Sequence, residues 1–157
     1  PIYAQKSAVL ILFFQEYNEL KMIVIRRSSY VGVHSGQIAF PGGRFEVEDI
    51  DVQTTALREI EEEIGISRED IEIIGRLSDI YVPPSNFLIS IFVGYLSERP
   101  QYKPDEREVA EIIELDFENP TQQSNFMAGM EIETDVSEIA HRKIAENAIT
   151  NCFWLPD

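Results

Sequence analysis

The stretch from Asp51 or Val52 to Ile64 holds no Gly or Pro and carries its apolar residues at helical spacing. Gly65 follows, the residue type that most often ends a helix in the left-handed conformation. At about 100° per residue, Ala56, Leu57, Ile60 and Ile64 fall on one arc, and that arc must face a core. Strand-like runs surround this helix. Ser7–Phe14 and Lys21–Arg27 predict two strands joined by a short hairpin; Gln37–Phe40 predicts a short strand, and Pro41-Gly42-Gly43 a sharp turn. Ile71–Leu77 and Phe87–Leu96 read as strands separated by the loop Pro83-Pro84-Ser85-Asn86, and Val109–Phe117 as another. Pro120–Met127 is expected to form a short helix, and Met130–Trp154 one or two strands. One strong helix among strands predicts an α/β (α+β) domain over residues 1–157, with a mixed sheet and helical cover.

A chain of 157 residues with 44% apolar content can build one core. Its 13 Lys+Arg against 28 Asp+Glu leave a charge of -15, so the average surface repels polyanions. No basic stripe offers a site for long nucleic acid, and acidic membranes are disfavoured. Cys152 is alone, which excludes an intramolecular disulfide. The run Ala8–Phe14 is far short of the roughly 20 apolar residues of a membrane span. No basic segment followed by an apolar one opens the sequence, so a soluble, cytoplasmic protein is the expectation, with a homodimer left open.

The helix carries acids where stability alone would not put them. Glu59, Glu62 and Glu63 gather beside the apolar arc, whereas Glu61 points the opposite way. Glu59 and Glu63 repel at i,i+4 by roughly 0.2 to 0.5 kcal/mol. Acids in the last turn also face the negative end of the helix dipole, at roughly 0.3 to 1 kcal/mol each. A solvated acidic face is the ordinary reading of such a run. Because these acids abut the apolar arc and a Gly-Gly pair lies just upstream, an oxygen-ligand site for Mg²⁺ or Mn²⁺ is the alternative reading.

The string Gly43-x5-Asp49-x8-Arg58-Glu59-Ile60-x-Glu62-Glu63-x-Gly65-Ile66 resembles the signature of the Nudix hydrolases. Two departures lie in its first half: Asp49 replaces Glu, and one extra residue precedes Arg58. That longer spacer, with the run Thr55–Glu59, is similar to the coenzyme A pyrophosphatase branch of the family. So is Arg27-Ser28-x7-Gly36-x3-Phe40-Pro41-Gly42-Gly43, together with Gly32–Gln37 and Pro83–Phe87. Gly32 stands where the branch commonly has Arg, and the final forty residues lack its Trp-Gly-Ala-Thr-Ala ending.

The resemblance implies an α/β/α sandwich and a Mg²⁺- or Mn²⁺-dependent pyrophosphatase acting on a nucleoside diphosphate linked to another moiety. Coenzyme A or acyl-coenzyme A is the first expectation. NADH, ADP-ribose or a dinucleoside polyphosphate is the alternative, and a non-catalytic nucleotide-binding module the alternative of another class. Glu59, Glu62 and Glu63, with a Gly43 carbonyl, are the expected metal ligands, and Arg58 is expected to orient a glutamate. The general base is left between Glu62 and a loop acid, Glu106 or Glu108. Arg27, His34 and Arg44 are the candidate substrate contacts; alternation allows only one of Arg26 and Arg27 to reach the site. Tyr81, Phe87 and Phe92 are candidates to stack on a base, with core packing as the commoner fate of strand aromatics. His141 and Cys152 have no partner at metal-ligand spacing and are expected to be structural.

Overall fold

The computed structural model describes residues 3–29, 36–119 and 121–122. Along the chain run β1 (Gln5–Glu16), β2 (Glu19–Arg27), β3 (Ile38–Ala39), β4 (Gly42–Arg44), α1 (Val52–Ile64), a 3-10 turn (Arg68–Asp70), β5 (Ile71–Arg76), β6 (Ile80–Val82), β7 (Phe87–Leu96) and β8 (Val109–Asp116). The strands form one mixed sheet whose main path is β3-β2-β1-β7-β5. β1 runs parallel to β7, and the remaining pairs are antiparallel. The β1–β2 hairpin turns through Tyr17 and Asn18, both at positive φ, the conformation whose twist matches that of the flanking strands.

Helix α1 packs on β1 and β4. Asp51 caps it, accepting from the Thr54 amide at 2.8 Å, and Gly65 closes it at φ 73°. Ala56, Ile60 and Ile64 are fully buried against the sheet, and each Ile contributes roughly 2 kcal/mol by leaving water. Leu57, expected on the same arc, packs at the edge of that core.

The expected strands are all present where the described residues cover them, with Ile71–Leu77 and Val109–Phe117 each shortened by one residue, Gln37–Phe40 reduced to Ile38–Ala39 and the hairpin arms lengthened. The sharp turn expected at Pro41-Gly42-Gly43 is corrected: the bend is confined to Pro41, and Gly42–Arg44 is a strand paired with Ser7–Val9. Here glycine serves close approach. A Cβ on Gly42 would lie 2.4 Å from the Ala8 carbonyl oxygen, and one on Gly43 would lie 2.1 Å from Glu59 Oε1. β6 and the 3-10 turn are additions that their short segments did not announce. Thr121 and Gln122 are helical; the rest of the expected Pro120–Met127 helix and the Met130–Trp154 strands lie outside the described residues, as do Gly32, His34, His141 and Cys152.

Gly42→Ala is expected to cost about 3 kcal/mol in urea denaturation, because the obstacle is backbone. Gly75→Ala, with nothing within 4 Å of its Cβ, is expected to stay within about 0.5 kcal/mol of the parent protein.

Candidate active site

Gly43 sits opposite Ala8 in the sheet and faces α1, and Glu59 lies on its bare backbone. Glu63, one turn further along α1, drops between helix and sheet; its Oε2 accepts the Gly42 amide at 3.0 Å. The side chains are 12% and 2% exposed for Glu59 and Glu63, so two of the three expected acids are inside the protein. Glu62 is 56% exposed. Glu61 points away, as the helical wheel requires, and pairs with Arg68.

Arg58 organises this face. Its Nε and Nη2 grip Asp49 Oδ1 and Oδ2 at 3.0 and 3.1 Å, while Nη1 donates to Glu59 Oε1 and Glu62 Oε2, each at 3.0 Å. Nη2 also donates to the Arg44 carbonyl at 2.9 Å, tying the helix to β4. Asp49 is buried and further accepts from the Thr55 hydroxyl and the Glu46 amide. The shorter acid at position 49 thus completes a four-donor pocket; the Arg58 hydrogen bonds, with those of Glu46 and Thr55, hold its pKa down at about 2. Arg58 thus touches both glutamates, and its bidentate partner is Asp49.

The loop before β8 is fastened to the C-terminal end of α1. The Lys103 amide donates to the Ile64 carbonyl at 2.9 Å and the Asp105 amide to the Glu63 carbonyl at 3.0 Å, filling acceptors that a helix end leaves open. This brings the charge of Glu108 to bear on both Glu59 and Glu63. Glu106 meets the end of β2 through its backbone, accepting from the Ser28 hydroxyl.

Among the expected substrate contacts, Arg27 is largely buried, with Nη2 3.9 Å from Glu63 Oε1. Arg44 follows Gly43, so its side chain leaves the helix side of the sheet, and its guanidinium covers the Phe87 ring at 5.0 Å. Phe87 and Phe92 are core residues, whereas Tyr81 is partly exposed and donates to Asn86 Oδ1.

The NUDIX domain family model matches residues 4–132. The chain belongs to the Nudix family. It is 33% identical over 119 residues to the uncharacterized Nudix hydrolase NudL of Pectobacterium atrosepticum, covering 73% of this chain and 59% of that protein. It is 34% identical over 119 residues to the chloroplastic Nudix hydrolase 22 of Arabidopsis thaliana, covering 73% of this chain and 38% of that one. The chain thus spans about half the length of these curated relatives. A C. elegans Ap4A hydrolase binary complex has a TM-score of 0.64 at 14% identity, covering 82% of this chain and 88% of that one. The NUDIX domain of Shewanella oneidensis NrtR complexed with ADP ribose has a TM-score of 0.56 at 17% identity, covering 71% of each chain. These neighbours establish the Nudix fold. Among the described residues no helix is long and apolar enough to cross a membrane.

In this Nudix domain the acids do not converge as the helical wheel implied: among the described residues no three His, Cys, Asp or Glu side chains are grouped to hold a metal ion. Arg58 draws Glu59 and Glu62 toward itself, and Glu63 is drawn inward to Gly42. The donors nonetheless suit a hard divalent cation. Two carboxylates are buried beside backbone that carries no Cβ, and burial makes their ionisation costly without a cation. Burial, followed by repulsion from Glu62 and Glu108 and offset by Arg58, raises Glu59 to about 7. Burial together with Glu59 and Glu108, offset by Arg27 and the Gly42 amide, raises Glu63 to about 8.

Both acids ordinarily titrate near 4.5, so between that value and their raised values the folded state binds more protons than the unfolded chain. Their contribution to stability is full below about 4.5 and is lost as pH rises through about 7 and 8. Urea denaturation of EDTA-treated protein across this range is expected to show a falling midpoint, with a flatter fall in Glu63→Gln. An unchanged slope in that variant would contradict the assignment. Asp49 acts in the opposite sense: its contribution is present above about 3.8 and is lost as pH drops toward 2.

Proposed function

We propose that this Nudix domain is a divalent-metal-dependent pyrophosphatase that cleaves the diphosphate of coenzyme A or acyl-coenzyme A, giving 4′-phosphopantetheine and adenosine 3′,5′-bisphosphate. The observation that carries the reading is the burial of Glu59 and Glu63 against Gly42 and Gly43, which concentrates carboxyl oxygens where a helix and a sheet meet. Nudix hydrolases generally use divalent metal ions, and carboxylate oxygens with substrate phosphates are the ordinary environment of Mg²⁺. Glu59 and Glu63 would hold the cation, with Glu62 and the Gly43 carbonyl as further oxygen donors. When bound, such a cation supplies the positive field that a protein of charge -15 lacks for a diphosphate.

The chain's own residues divide the remaining work. Arg58 keeps Glu59 and Glu62 oriented, and its grip on Asp49 fixes the helix against the preceding loop. The proton acceptor for the attacking water is Glu62 or Glu108. Glu62 is the solvent-facing acid of the group, and Glu108 is the loop acid whose charge both buried glutamates feel. His34 remains the proposed phosphate contact of the segment before Gly36. The coenzyme A assignment rests on the two motifs of that branch. Gly32, in place of the branch's Arg, favours NADH, ADP-ribose or a dinucleoside polyphosphate as the second reading. All three helix acids are present, which argues against a purely binding module.

Incubation with Mg²⁺ or Mn²⁺ and a panel of coenzyme A, NADH, ADP-ribose and diadenosine polyphosphates, with product identification, tests this assignment. Coenzyme A is expected to give the two named products, and Glu63→Gln to lower kcat/KM by about a hundredfold or more without unfolding the protein. Turnover of no member would end the enzyme reading; preference for NADH would end the coenzyme A reading alone.

A further inference from the structure

β2 ends on two arginines that go separate ways. Arg26 is 42% exposed and donates to Glu111 at 3.0 Å. Arg27 turns toward the α1 side of the sheet, 12% exposed, with its guanidinium aimed at Glu63. The 3.9 Å separation is beyond hydrogen-bond reach, so the attraction is Coulombic. Arg27 Nε is buried and has no hydrogen-bond partner among the described residues. Leaving such an N–H unsatisfied carries a desolvation penalty, so the side chain's position requires another source.

That source is the main chain. The Arg27 amide donates to the Gln37 carbonyl and the Ser28 amide to the Glu108 carbonyl, each at 2.9 Å. Pairing with β8 also shifts between the two arginines: Arg26 faces Glu111 and Arg27 faces Val109, with Ala110 left over. An extra residue of this kind re-aims side chains, and such bulges recur beside active sites. The result is a cation held by β2 beside a buried carboxylate, 3.9 Å from Glu63 Oε1.

We infer that Arg27 is a positioning residue, an internal counter-cation that holds Glu63, and not a ligand of the substrate's phosphates. The inference deepens the metal-site reading above and, for its metal arm, rests on it. A fixed positive charge beside Glu63 opposes a divalent ion there and restrains its affinity. Removing that charge relieves a repulsion that scales with the ion's charge of two.

The test compares Arg27→Met, Arg27→Lys, Glu63→Gln and the Arg27→Met/Glu63→Gln double variant. Mn²⁺ binding to substrate-free protein is followed by electron paramagnetic resonance. Arg27→Met is expected to tighten Mn²⁺ binding by about tenfold. Arg27→Lys is expected to retain the parent affinity, and the double variant to show no gain over Glu63→Gln. In urea denaturation of EDTA-treated protein, Arg27→Met is expected to be more costly with Glu63 present than with Gln at that position. In turnover, the change is expected in kcat and metal dependence, with KM for the nucleotide little altered. Unchanged Mn²⁺ affinity, no coupling to Glu63 and a raised KM would overturn the inference and make Arg27 a substrate ligand. Parent protein that binds no Mn²⁺ would instead defeat the metal reading, and the urea coupling alone would then decide the Arg27–Glu63 pair.

Discussion

The contact between α1 and the bare backbone of β4 governs both the packing and the chemistry of this domain. Gly43 has no side chain where Glu59 lies, and the Gly42 amide is the hydrogen-bond donor that meets Glu63. A Cβ on Gly42 would strike the β1 backbone at Ala8 and Val9, and one on Gly43 would displace the Glu59 carboxylate. Because Ala56, Ile60 and Ile64 sit on the same helix, their burial and that of Glu63 are enforced together. Apolar packing therefore bears the cost of holding two acids in a poorly solvated place. A bound divalent cation would offset that cost by supplying opposite charge where water is largely excluded.

Around this contact, the polar groups form a frame. The Asp49–Arg58 pair fixes the loop between β4 and α1, and the spare donors of Arg58 reach Glu59, Glu62 and the β4 backbone. At the far end of the helix, two loop amides satisfy carbonyls of the last turn and bring the start of β8 close to the buried acids. Arginine suits the first task because a planar fork can serve one carboxylate bidentately while keeping a donor for others. The overall charge of -15 is then of two kinds. Among the described residues, Glu61 with its Arg68 partner is a surface group, Asp49 is enclosed but matched by Arg58, and Glu59 and Glu63 are enclosed near the end of the helix, against the preference of its dipole.

The helix and the longer strands were legible because periodicity and punctuation agree there: a clean run from Val52 to Ile64 ends at Gly65, and Phe87–Leu96 is an unbroken apolar strand between parallel and antiparallel neighbours. The glycine pair misled because a turn and a close backbone approach both favour Gly, and only the neighbouring strand distinguishes them. In the site, the wheel separated Glu61 from the other acids but gave no depth. It could not show that Glu63 is enclosed while Glu62 is in solvent, since that depends on where β4 lies. Asp49 was legible as a motif position but not as the main partner of Arg58. The motif at Arg27 implies a substrate contact, and only the sheet register shows that its side chain lies beside Glu63. Arg44 is open in the sequence to a phosphate or a surface role, and the ring of Phe87 beneath its guanidinium is visible only in the fold.

In crystals of the protein soaked in Mn²⁺, anomalous diffraction is expected to show a peak about 2.1 Å from carboxylate oxygens of both Glu59 and Glu63, beside the Gly43 backbone. A peak confined to exposed acids such as Glu61, or no peak near the two buried glutamates at saturating Mn²⁺, would contradict that expectation.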